Sequence, residues 1–107
     1  MSKGVYSAVT RNGDSLPVVT WGTTETVSVS STSARTATNF ESDTAVVRLK
    51  ATVDMYVKFG DSSVTATSSD IILSAGETEY VAIPSGATRI AAIRATADGG
   101  LNVTQIK

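Results

Sequence analysis

Asp70, Glu77 and Glu79 come closest to a catalytic constellation in this sequence. Two carboxylates can divide acid and base work, as in glycoside hydrolysis. More plainly, Asp70 caps a turn while Glu77 and Glu79 form the solvated face of one strand, because charged side chains are normally exposed. The 107 residues include no histidine and no cysteine. The commonest general base and metal ligand is therefore missing, as are thiol nucleophiles, disulfides and Cys-based zinc sites. Serines and lysines are present, but no spacing supports a Ser–Lys dyad.

Calcium wants several clustered oxygen ligands. Asp61, Ser62, Asp70, Asp98 and Asn102 are the available donors, and no D-x-D-x-D-G loop organises them. Turn aspartates account for them more simply. Asn102-Val103-Thr104 matches the glycosylation sequon, a match common by chance, and the glycines follow no phosphate-loop pattern. Arg35, Arg48, Arg89 and Arg94 are scattered over a chain of net charge −1, which argues against a nucleic-acid or anionic-membrane footprint. Trp21 is the sole tryptophan. It reads as a core or lid residue; exposed, it would stack on a sugar or anchor a protein interface. The Ser/Thr-rich segment 23–38 is either a loop or a strand that adds to a neighbouring sheet edge.

These residues must be positioned by strands. Serine and threonine make up 30 of the 107 residues, and threonine and valine favour pleated, half-buried backbone. Period-two alternation and turn residues predict strands at Val5 to Val9, Leu16 to Thr20, Glu25 to Ser30, Thr44 to Ala51 and Asp54 to Phe59. Further strands are predicted at Ile71 to Leu73, Glu77 to Ile83, Arg89 to Ala95 and Leu101 to Ile106. Asn12-Gly13, Gly60 to Ser63, Ala75-Gly76, Pro84 to Gly86 and Asp98 to Gly100 are the turn signals between them. Ser30 to Thr38 is a loop or a flat edge strand. The predicted core is Met55, Val57, Phe59, Tyr80, Ile83, Ile90, Ile93 and Leu101.

The expected fold is all-β: a small antiparallel β-sandwich, jelly-roll-like, with an extended N-terminal arm. Residues 1–43 form the arm and first strands, and 44–107 the sandwich core, within a single domain. Met1-Ser2-Lys3-Gly4 opens no apolar h-region, so no secretory signal is expected. No run approaches the ~18 apolar residues of a membrane-spanning helix.

The second part of the chain resembles a known pattern. Its carriers are Met55-Tyr56-Val57-Lys58-Phe59-Gly60-Asp61, Thr65-Ala66-Thr67 with Asp70-Ile71-Ile72-Leu73, and Ala75-Gly76-Glu77-Thr78-Glu79-Tyr80. Ile83-Pro84-Ser85-Gly86, Ile90-Ala91-Ala92-Ile93-Arg94-Ala95 and Gly99-Gly100-Leu101-Asn102-Val103-Thr104 continue it. Over about residues 45–107 the chain is similar to small structural proteins of tailed bacteriophage virions, most of all capsid decoration (cement) proteins. The first 40 residues have no counterpart in that pattern.

The resemblance implies no enzyme, no catalytic residue and no cofactor or metal. It implies a structural virion protein, made in the host cytoplasm, that binds the outside of the capsid lattice and stabilises the shell. The major capsid protein and further copies of itself, as homodimer or homotrimer, are the implied partners; nucleic acid, membrane and small-molecule substrates are not. The N-terminal arm then meets the lattice, through Trp21, Glu25, Val27, Val29 and Arg35. A neck, tail or spike component is the first alternative. A carbohydrate-binding sandwich with an aromatic platform from Trp21, Tyr56 or Tyr80 is the second.

Overall fold

A computed structural model describes the backbone of residues 5–9 and 15–106, and side chains from Thr20 to Ile106. Among the described residues, ten strands and no helix make up the regular structure. In chain order they are β1 (Val5–Val9), β2 (Ser15–Val19), β3 (Trp21–Val29), β4 (Ala34–Arg35) and β5 (Val46–Ala51). They continue with β6 (Met55–Gly60), β7 (Ile71–Leu73), β8 (Thr78–Ala82), β9 (Arg89–Arg94) and β10 (Gly99–Ile106). Two four-stranded antiparallel sheets, β3-β10-β5-β8 and β4-β9-β6-β7, pack as a β-sandwich. The expected all-β sandwich is what the chain forms.

The strand order has a simple origin. β6 pairs with β7, β5 with β8, β4 with β9, and β3 with β10. The chain is thus one long antiparallel hairpin with its tip at β6–β7. Rolling that hairpin brings β10 against β5 and β9 against β6, which closes the two sheets. β1 and β2 stand outside this roll and form a two-stranded sheet of their own. The predicted Asn12-Gly13 turn lies outside the described residues. β3 and β4 belong to the sandwich, so the separate arm ends at Val19, well before residue 43.

Alternation along each strand fills the space between the sheets. Val27, Val29, Val47, Leu49 and Ala51 enter from one sheet, and Met55, Val57, Leu73, Ile90 and Ala92 from the other. Phe59 and Ile83 pack partly buried against them, and the rings of Phe40 and Phe59 lie 6.1 Å apart in a tilted pair. Two expected core residues behave differently. Tyr80 pairs with Arg48 on the outward face and is 54% exposed. The inward residue of β8 is Val81, opposite Val47 and in step with Ile83, so Tyr80 falls on the other face. Ile93 also faces outward, but the loop 61–70 folds over it. Val64 and Ala66 from that loop bury Ala91 and pack on Ile93 as a second small core.

Gly99 and Gly100 are the other correction. They lie within β10, paired with Val29 and Ser28, and not in a turn. An added Cβ on Gly99 would sit 2.6 Å from Val53 Cγ2 and 2.7 Å from Thr52 Oγ1. The glycine is there for close approach. Gly99→Ala should destabilise the domain by roughly 1–3 kcal/mol through overpacking. Gly100→Ala, whose Cβ meets nothing nearer than 3.5 Å, is the matched control in a urea titration.

Candidate functional site

The outward face of β3-β10-β5-β8 carries the sharpest cluster of interaction residues. Register places Thr24, Thr104, Arg48 and Tyr80 in one row across all four strands. Thr26, Asn102, Lys50 and Thr78 form the adjacent row. Trp21, at the start of β3, closes one end. Its ring lies 5.5 Å from the Arg48 guanidinium carbon, a cation–π contact. Trp21, Thr24, Arg48, Asn102 and Thr104 surround a shallow depression. The Thr24 and Thr104 hydroxyls are 3.0 Å apart, and Thr104 Oγ1 donates to Asn102 Oδ1 at 3.1 Å. A register shift opposite Thr104–Ile106 puts one extra residue into β3, which brings Trp21 opposite Ile106, on the same face as Arg48.

Trp21 is 56% exposed, so it is neither core nor lid. The expected aromatic platform is divided. Trp21 and Tyr80 share one face, about 14 Å apart laterally at the usual strand spacing. Tyr56 pairs with Ile72 and Ile93 on the other sheet.

The remaining predicted interface residues are not gathered at this face. Val27 and Val29 point into the core, 3% and 2% exposed. Glu25 shares their parity. Its carboxylate accepts from the Ala37 amide and from Thr38 Oγ1 at 3.1 Å, stapling the 36–38 segment to the free edge of β3. Arg35 donates to the Val64 carbonyl at 3.3 Å and helps hold the 61–70 loop. Ser33 Oγ accepts from the Ala66 amide at 2.9 Å, with the same effect. Sequence spacing does not show that Arg48 stands between Trp21 and Tyr80; register across the sheet does.

The carboxylates considered for chemistry are largely engaged in turns. Asp70 Oδ2 accepts from the Thr67 amide at 2.7 Å and from its hydroxyl. Asp98 pairs with Arg94 at 2.6 Å. Asp54 Oδ1 accepts from the Ala75 amide at 2.8 Å. Glu77 and Glu79 are exposed, and Glu79 lines an apolar cleft with Asp70. Among the described residues, no three acidic side chains converge as a metal site requires.

Asp61 accepts from the Ser63 hydroxyl at 2.7 Å and from the Ser63 amide at 2.9 Å. Those bonds, the hydroxyl's first, hold its carboxyl below the usual value of 3.8. Because the folded value is lowered, the small stabilisation is present above pH 3.8 and fades as pH falls through the folded value. In Ser63→Ala, the Asp61 titration followed by NMR should move up toward 3.8 while staying below it, since the amide bond remains. An unmoved titration would reject the hydroxyl as the main cause.

No family model, curated protein or solved structure matches this chain.

Proposed function

We propose that this chain is a non-enzymatic structural protein of a tailed-phage virion, which binds the outer capsid shell through the Trp21–Arg48–Tyr80 face. The observation that carries this is the composition of that face. Tryptophan, arginine and tyrosine are the residue types that dominate protein–protein binding energy, and here they share one flat sheet surface. The surrounding Thr24, Thr26, Asn102 and Thr104 suit a wet, hydrogen-bonded rim. The rolled-hairpin strand order supports the jelly-roll reading. The phage assignment itself comes from the resemblance over residues 45–107. Partner and place follow from it: the major capsid protein, at the capsid surface, after synthesis in the host cytoplasm.

Co-sedimentation with expanded capsid shells of the source virus tests the proposal. Saturation at an integer number of copies per lattice junction is the expected result. Absence of binding would transfer the protein to a neck, tail or spike position, to be decided by its copy number in whole virions.

A carbohydrate-binding role is the second reading, favoured by the exposed Trp21 ring beside Asn102 and two threonine hydroxyls. Oligosaccharides should then quench the fluorescence of the single tryptophan. Shell protein without glycan should leave that signal unchanged under this second reading, and should change it under the first.

A further inference from the structure

The two sides of the sandwich are closed differently. On the β3–β4 side Glu25 fastens the 36–38 segment over the edge. On the β7–β8 side the space between the sheets lies open as a cleft of about 450 Å³. Its floor includes Leu49, Val57 and Val81, and Asp70 and Glu79 stand on its lips. Ile71 pairs with Val57 and so faces between the sheets, yet it is 75% exposed. An inward-facing isoleucine left in water marks a core that its own chain does not finish. Water filling it would meet walls that offer few polar partners. Both lips are outer strands with one unpaired edge each, the geometry that accepts an added strand.

The chain also carries an apolar element that belongs to neither sheet. β1 is Val-Tyr-Ser-Ala-Val and β2 is Ser-Leu-Pro-Val-Val, and the two pair only with each other. A two-stranded hairpin alone is marginal in water and needs a surface to pack on. Its own cleft lies on the far side of the sheet. Thr20 alone joins β2 to β3, and β3 is the outer strand on the side opposite β8. Charge fits as well. Residues 1–19 carry Lys3 and Arg11 against Asp14, and the cleft carries Asp70 and Glu79 against Lys58.

We propose that the β7–β8 cleft receives the β1–β2 hairpin of a second copy of this chain. Donor and acceptor are different surfaces. Exchange is then either reciprocal within a dimer or head-to-tail around a closed ring. This assembly does not rest on the virion reading, and it leaves the Trp21 face free for another partner.

The full chain supplies the test. Ile71→Lys changes a mostly exposed residue and should leave the circular dichroism spectrum and melting temperature near those of the parent. It should shift the mass measured by light scattering from oligomer to monomer. Because the sequence lacks cysteine, Ile71→Cys and Val18→Cys chains can be mixed and oxidised. A disulfide-linked pair containing one of each is expected, well above the self-linked background of either variant alone. Three outcomes would overturn the proposal. They are a parent chain that stays monomeric at all concentrations, an oligomer indifferent to Ile71→Lys, and a doubly substituted chain that links within itself as a monomer.

Discussion

Trp21→Ala is expected to weaken shell binding by at least about 30-fold while leaving the fold intact. The first half follows from the residue's place. A truncated hot-spot tryptophan costs about 2 kcal/mol or more, and each 1.4 kcal/mol is tenfold in affinity. Its loss also frees Arg48, whose guanidinium carbon is held 5.5 Å from the ring. The second half follows from its exposure of 56%. Little buried area is lost, and an exposed cation–π contact contributes only about 0.5–1 kcal/mol. Titration of labelled protein against shells measures the affinity, and a melting curve measures the fold. Arg48→Ala and Tyr80→Ala should weaken binding in the same direction. Wild-type affinity in all three variants would remove this face from the proposed function, leaving the hairpin exchange to stand or fall by its own test.

Leu101→Ala acts on the other half of the molecule. Leu101 is fully buried on β10, between Val27 of β3 and Ala51 of β5. Its removal opens a cavity near the centre of the core, at about 2–5 kcal/mol. A domain of this size is stable by only about 5–15 kcal/mol. The variant should melt at least about 8 °C lower, at roughly 4–8 °C per kcal/mol. Val81→Ala is a useful contrast. Val81 faces the open cleft and is only partly buried. Its cost should be clearly smaller, because part of its surface already meets water. Equal losses at the two positions would mean that the cleft is as closed as the centre.

Much of the architecture was legible from local pattern. Residues such as Val47, Leu49 and Ala51, alternating with Arg48 and Lys50, announce a strand with one buried face, because side chains in a strand alternate at period two. Ile71 to Leu73 was placed to the residue, since short apolar runs are bounded by turn residues. Asp70 as a turn cap was equally plain: a short carboxylate reaches back to the Thr67 amide.

Other features depend on partners far along the chain. β3 was read too short because Trp21 to Thr24 carry no apolar alternation; they are held in the sheet by pairing with β10, some eighty residues away. Tyr80 is expected in the core from the sequence, and register with Arg48 turns it outward. Ile90 and Ile93 differ in parity and cannot share a face. Burying both required the 61–70 loop to cover the far side of β9, which no local pattern announces.

By itself the sequence determined an all-β chain without histidine or cysteine, with strands and turns set by alternation and by short polar and glycine residues. Those are local properties, written in neighbouring side chains. The tertiary structure alone decided that Trp21, Arg48 and Tyr80 meet on one face, that Glu25 closes one side of the sandwich, and that the β7–β8 side stays open. Each of these follows from rolling one long hairpin, which brings together residues whose separation along the chain exceeds the reach of any periodicity.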